Sequence, residues 1–225
     1  MCGRYTLIEN LKDLEEWFDA DRIELDELQP SYNVAPSQMV PVVGENEEGR
    51  RSILPFQWGF LPFWADEKDI SYSMINARAE TLDSKRSYKR NFKRYRCLVP
   101  ASGFYEWSGE KGDKEPCYIY PTEEPVFAFA GIYNVWQSPD DDETIPTFTI
   151  VTTDANKKIK ELHDRMPAIL MKDEWEEWLD PLNDDTETLK ELLQSFPDDA
   201  LDFHQVSKKV NNVENNDKEL IEPIE

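Results

Sequence analysis

From residue 38 to residue 153 the chain is a succession of short β-rich runs broken by turn residues, and this pattern limits the fold more than any other feature. Residues 38–43 and 51–58 read as strands joined across a turn at 44–49. Residues 97–107 read as one strand that turns at 108–114 into 117–120, and further strands fall at 126–136, 146–153, 166–171 and 201–206. Residues 3–7 make a short strand at the start. Helical spacing is confined to Leu11, Leu14, Trp17 and Phe18 and to the stretches 88–95, 155–162, 174–179 and 186–193. Prolines and an asparagine mark 30–38 as loop, and 59–64 reads as an irregular apolar loop interrupted by Pro62. Strands without regular helical crossovers argue an α+β fold, with a central curved, barrel-like mixed β-sheet flanked by helices. At 225 residues, with no repeat, linker or low-complexity segment, the expectation is a single domain spanning 1–225.

The net charge is −22 at pH 7, which ordinarily argues against a nucleic-acid partner. Its distribution argues otherwise. Residues 78–96 hold eight basic side chains (Arg78, Lys85, Arg86, Lys89, Arg90, Lys93, Arg94 and Arg96) against the acids Glu80 and Asp83, a local charge of +6. The rest of the chain therefore carries −28, that is −22 less +6. A salt-adapted cytosol would account for so acidic a surface. No apolar run approaches a membrane span and no basic-then-apolar leader precedes Cys2, so a soluble cytoplasmic monomer is expected, without membrane contact. The three cysteines (Cys2, Cys97, Cys117) form no CxxC pair and HExxH is absent, so neither a metal nor another cofactor is expected.

Cys2 is the candidate nucleophile. Removal of Met1 would leave a thiol and a free α-amine on adjacent carbons, a pair that closes an aldehyde into a five-membered thiazolidine. An α-amine has a reference pKa of about 7.7–8.0 against about 10.4 for lysine, so part of it is neutral and nucleophilic at pH 7. Three further strings carry polar groups suited to such chemistry. Asn76 stands two residues before Arg78 in Ile75-Asn76-Ala77-Arg78-Ala79-Glu80. Glu106 lies between aromatics in Gly103-Phe104-Tyr105-Glu106-Trp107, where a carboxylate suits a proton shuttle. His163 heads His163-Asp164-Arg165-Met166-Pro167.

These strings occur in order with Cys2-Gly3-Arg4-Tyr5, Tyr32-Asn33-Val34-Ala35-Pro36, Trp58-Gly59-Phe60 and Arg96-Cys97-Leu98-Val99-Pro100. Together they resemble the SOS-response-associated peptidase family, the abasic-site processing proteins of bacteria, archaea and eukaryotes. The resemblance implies a barrel-like core, a positively charged groove for single-stranded DNA, and a covalent thiazolidine crosslink to the ring-opened aldehyde of an abasic site. It implies Cys2 as nucleophile, Asn76 as positioning amide, Glu106 as acid/base and His163 as a second proton carrier. Arg4, Arg78, Arg86 and Arg165 would hold phosphates, Phe63 and Trp64 would wedge or stack against bases, and Asn33 and Thr152 would line the groove. The expected partner is single-stranded DNA containing abasic sites, with the protein nucleoid-associated when bound. The family name further implies peptidase activity, read here as self-removal of whatever precedes Cys2, although methionine aminopeptidase could remove Met1 as well.

Two other classes compete. An N-terminal-nucleophile amidohydrolase also begins with cysteine, but it has no use for a basic island and no length remains for a synthetase partner. A non-catalytic single-strand-binding module would leave Cys2 incidental, and the removal or retention of Met1 discriminates it.

Overall fold

The computed structural model describes residues 2–110 and 112–224. Among these the strands are β1 (Arg4–Leu7), β2 (Arg22–Ile23), β3 (Ser31–Val34), β4 (Met39–Glu45), β5 (Arg51–Trp58), β6 (Asn76–Arg78), β7 (Arg96–Ala101), β8 (Gly103–Ser108), β9 (Glu115–Pro121), β10 (Phe127–Gln137), β11 (Thr144–Asp154), β12 (Arg165–Pro167), β13 (Ile169–Leu170) and β14 (Leu201–Gln205). The α-helices are α1 (Leu11–Phe18), α2 (Lys89–Arg94), α3 (Trp175–Leu179) and α4 (Thr186–Glu191).

Strands β5, β4, β7, β10 and β11 pair antiparallel in that order. β11 then returns to β5 in parallel, through Thr147 opposite Gln57 and Phe148 opposite Trp58. This last pairing closes a five-stranded mixed barrel, so its strands present no continuous open edge. The α+β, barrel-like expectation is what the structure has. Tyr5, Trp58 and Phe129 pack edge to face inside it, with ring centroids 5.3 and 5.9 Å from Tyr5. A second, five-stranded sheet runs β14-β9-β8-β1-β3.

The two sheets share one stretch of chain. Residues 97–107, which read as a single strand, divide at Ser102 into barrel strand β7 and second-sheet strand β8. The Ser102 N–H donates to the Thr6 carbonyl at 2.8 Å, and its hydroxyl accepts the Ile8 N–H at 2.8 Å. Gly103 follows because a Cβ there would lie 2.4 Å from the Tyr118 ring. Alternation within the strand gives no sign of this break, since its cause is the distant Thr6–Ile8 backbone. In the same way 166–171 divides into β12 and β13, with Ala168 between them bonded to Val151 and Ala130.

Three other expectations change. The loop at 30–38 contains β3, paired to β1. The helix expected at 155–162 is only a 3₁₀ turn, Ile159–Glu161, because the Asn156 side chain accepts the Ile159 N–H and donates to the Phe196 carbonyl. Arg96 does not belong to the exposed basic island. It is 2% exposed, and its guanidinium donates to the carbonyls of Phe92, Trp178, Asp180 and Asn183, ending α2 and α3 together. Burial lowers its pKa to about 10. Elsewhere local signals agree with the structure: Asn10 caps α1 by accepting the Lys12 and Asp13 N–H groups, and Phe18 stacks on Trp175 at 4.8 Å.

Candidate active site and nucleic-acid face

One edge of β11 receives two strands in succession. β5 pairs with it as far as Trp58, and Gly59 turns away with its N–H on the Phe148 carbonyl. Gly59 has φ +128°, and a Cβ there would sit 2.9 Å from the Ser71 carbonyl oxygen. After the intervening loop β6 takes the vacated edge, with Asn76 opposite Ile150 and Arg78 opposite Thr152. Trp58 fixes the handover by donating its indole N–H to the Ile75 carbonyl at 2.9 Å.

Asn76 is thereby brought against the start of the chain. Its Nδ2 donates to the Cys2 carbonyl at 2.8 Å, while its Oδ1 is buried with no hydrogen-bond partner. Cys2 is fully buried, and its thiol donates to the Arg4 carbonyl at 3.6 Å. Burial, and next the negative charge of Glu106, push the thiol well above the usual cysteine value. β8 supplies that carboxylate by pairing with β1 through Tyr105 opposite Arg4 and Phe104 opposite Tyr5. Glu106 is 4% exposed, and its Oε1 accepts the Trp107 N–H at 3.1 Å. Cys2, Asn76 and Glu106 thus come from three separated segments to one place.

His163 stands on the other flank of β11, where β12 pairs Met166 with Thr153. Its Nδ1 accepts the Arg165 N–H at 2.9 Å, so a neutral imidazole carries its proton on Nε2.

The residues expected to meet DNA fall into two layers. Phe63 is 51% exposed, Arg78 and Arg86 face solvent, and the Arg86 guanidinium lies 5.7 Å from the centroid of the Trp64 ring. Arg4, Asn33, Thr152 and Arg165 form an inner layer of bonded supports. Arg4 donates to Asn33 Oδ1 at 2.7 Å and to the carbonyls of Val210 and Asn211. Asn33, only 2% exposed, donates to the carbonyls of Val210, Asn212 and Asn215, tying the asparagine-rich stretch near the C-terminus to β3. Thr152 is fully buried, and its carbonyl accepts from Arg165 at 2.6 Å. Neither Asn33 nor Thr152 presents its side chain to solvent; Asn33 braces the backbone at 210–215, and Thr152 receives Arg165 on its carbonyl. Arg165 itself is ion-paired to Glu80 and to Asp154, the latter at 2.8 Å. Asp154 and the supporting role of Arg96 carry no local signal in the sequence, whereas Glu80 lies within the Asn76–Glu80 string itself.

No helix among the described residues is long and apolar enough to cross a membrane, and no three His, Cys, Asp or Glu side chains there group to hold a metal ion. A family model described as SOS response associated peptidase (SRAP) matches residues 1–213. The chain is 42% identical over 225 residues to abasic site processing protein YoqW of Bacillus subtilis (strain 168), covering 99% of each. It is 34% identical over 237 residues to abasic site processing protein HMCES of Xenopus tropicalis, covering 92% of this chain and 69% of that protein. A crystal structure of a Bacteroides thetaiotaomicron protein shares the fold with a TM-score of 0.89 and 28% identity, covering 99% of this chain and 100% of that one. With its motifs set around one barrel edge and relatives that match it end to end, the chain belongs to the SOS response associated peptidase family.

Proposed function

We propose that this protein captures abasic sites in single-stranded DNA as a covalent crosslink through Cys2, holding the lesion during a DNA-damage response. Cleavage of the Met1–Cys2 bond, at a residue outside the described range, frees the α-amine. The amine adds to the C1′ aldehyde of the ring-opened sugar to give a hemiaminal. Protonation of the hemiaminal hydroxyl expels water and leaves an iminium. The Cys2 sulfur then adds to the iminium carbon as the thiol proton departs, and the ring closes. One C–N and one C–S bond form, and one water is released.

The observation that carries this proposal is the convergence of Asn76 and Glu106 on a buried Cys2. The amide holds the Cys2 main chain, which fixes where the new amine would point. A raised thiol pKa keeps sulfur protonated, so the amine reacts first and sulfur closes the ring only when a base takes its proton. Glu106 is that base, and it also protonates the departing hydroxyl. His163 protonates the sugar oxygen during ring opening and assists reversal. The exposed Arg78 and the Arg86–Trp64 pair, with Phe63 beside them, supply cation and aromatic faces for a single strand. The relatives are named abasic site processing proteins, which agrees with an abasic site as the lesion acted on.

Intact-mass measurement after mixing with an abasic oligonucleotide tests it. The adduct should survive denaturation, with the mass of protein lacking Met1 plus DNA minus one water. Cys2→Ala should give at most a labile imine, and protein retaining Met1 should give none. A Met1-retaining protein that crosslinks as fast as the processed one would sink the proposal.

A further inference from the structure

Beside the basic segment lies a pocket of about 450 Å³ whose walls include Phe63, Arg90, Tyr95, Tyr133, Val135 and Gln137. Tyr133, Val135 and Gln137 are alternate residues of β10, so they leave the sheet on one face. Arg90 comes from α2, and Tyr95, just past that helix, meets Tyr133 edge-on with ring centroids 5.6 Å apart. Phe63 and Val135 are 51% and 56% exposed, an unusual degree for two large apolar side chains sharing one concavity. Arg90 is exposed, and among the described residues its guanidinium makes no hydrogen bond or ion pair. Burial raises the Tyr133 phenol to about 12, so it remains a hydrogen-bond donor at neutral pH.

We propose that this pocket receives one unstacked nucleobase of the strand flanking the captured sugar, with the adjoining phosphate on Arg90. The proposal rests on the single-stranded DNA reading above and extends its footprint. Several hundred Å³ is the size of a small-ligand site. Aromatic and aliphatic walls suit a base face irrespective of sequence, and Gln137 can meet a base edge. Charge fixes the orientation. Ser138, which also lines the pocket, opens the turn that carries Asp140, Asp141 and Asp142, whose carboxylates repel a phosphate and so favour Arg90 as its place.

The position fits a strand leaving Cys2. On β11, Thr147 lies opposite Asn134 of the pocket, and Ile150 lies opposite Asn76 of the active site. Three residues at ~3.3 Å each give about 10 Å along β11, and because β10 and β6 flank β11 on opposite sides, two strand spacings of ~4.8 Å add across it, roughly 14 Å in all. That is about four nucleotide steps at a stacked spacing of ~3.4 Å. Phe63, in the pocket wall, is the chain neighbour of Trp64, which packs against Arg86.

The test compares two abasic oligonucleotides, one with a single nucleotide on each side of the lesion and one with ten. Binding before crosslinking and the single-turnover rate are measured for the full chain and for Val135→Glu and Arg90→Gln, both at exposed positions. The unaltered protein should prefer the long oligonucleotide. Each variant should lose roughly 5- to 150-fold of that preference, the range for loss of one stacked base, while crosslinking the short one at the original rate. A long-to-short ratio unchanged in both variants overturns the pocket, as does an equal loss on both oligonucleotides. Failure of the unaltered protein to crosslink either one is a different result, because it removes the underlying function rather than the pocket alone.

Discussion

The Asn76 side-chain amide donates to the main-chain carbonyl of Cys2 at 2.8 Å, joining the short strand that extends the barrel edge to the segment that bears Cys2. Asn76→Ala removes the donor and leaves that carbonyl without it. A buried polar group deprived of its partner costs about 1–3 kcal/mol, and if the loss falls wholly on the reacting geometry the crosslinking rate drops roughly 5- to 150-fold. Asn76→Asp should be slower still, because a carboxylate faces a carbonyl oxygen. Single-turnover rates on saturating DNA check this. Rates equal to those of the unaltered protein would mean that the amide serves folding alone.

Glu106 and His163 should separate by step. A positioned acid or base contributes about 10²–10⁴-fold, so Glu106→Gln should slow crosslinking by that order and leave DNA affinity nearly intact. His163→Ala should act more on ring opening and on reversal, read by release of DNA from a preformed adduct. The pH profile supplies a second check. Because burial and then Glu106 raise the Cys2 thiol well above its usual value, thiolate does not accumulate as pH rises through about 8.5. The rate should therefore rise once, with loss of the α-amine proton near pH 7.7–8.0, and show no second rise near 8.5. A distinct second limb there would place an ordinary, accessible thiol in the site.

Arg165 is largely buried and already paired with Glu80 and Asp154. If it holds a phosphate, DNA must compete with these two carboxylates. The double substitution Glu80→Gln with Asp154→Asn should strengthen binding at low salt. The gain should shrink as KCl approaches 1 M, where the Debye length is about 3 Å. For the unaltered protein, the same titration should first rise, as salt screens the −28 outside the basic segment. It should then level or fall gently, since each phosphate contact on a single strand contributes a log–log slope of only about −0.7. Unchanged affinity in the double variant would show that Arg165 has no phosphate to hold, and a steep fall from the lowest salt would show that the acidic surface does not reach the site.

Arg96 should matter for stability and not for chemistry. Replacing it with Leu leaves the carbonyls of Phe92, Trp178, Asp180 and Asn183 without their shared donor. A buried carbonyl left without its donor costs about 1–3 kcal/mol. At about 2–4 °C per kcal/mol for a chain of this size, each carbonyl left dry lowers Tm by roughly 2–12 °C. Below the new transition the crosslinking rate per folded molecule should be unchanged. An unaltered Tm would remove Arg96 from the framework of α2 and α3.

The sequence alone determined the curved α+β framework, because strand alternation and turn residues are local properties that survive in almost any tertiary setting. It also singled out Cys2, Asn76, Glu106 and His163, as a set only through the ordered motifs that resemble one family, since none of the strings is informative alone. The tertiary structure decided which of these residues share a place and which cations remain available to DNA. Arg78, Arg86 and Arg96 read alike along the chain, yet two face solvent and the third is sealed under the ends of two helices. Arg4 and Arg165 read as phosphate ligands, yet one is held by Asn33 and Val210 and the other by Glu80 and Asp154. The break at Ser102 was likewise set by Thr6 and Ile8. In each case the deciding partner lies far away in sequence. A buried guanidinium or a bent backbone is stable only where those distant acceptors and donors converge, and local pattern carries no record of that convergence.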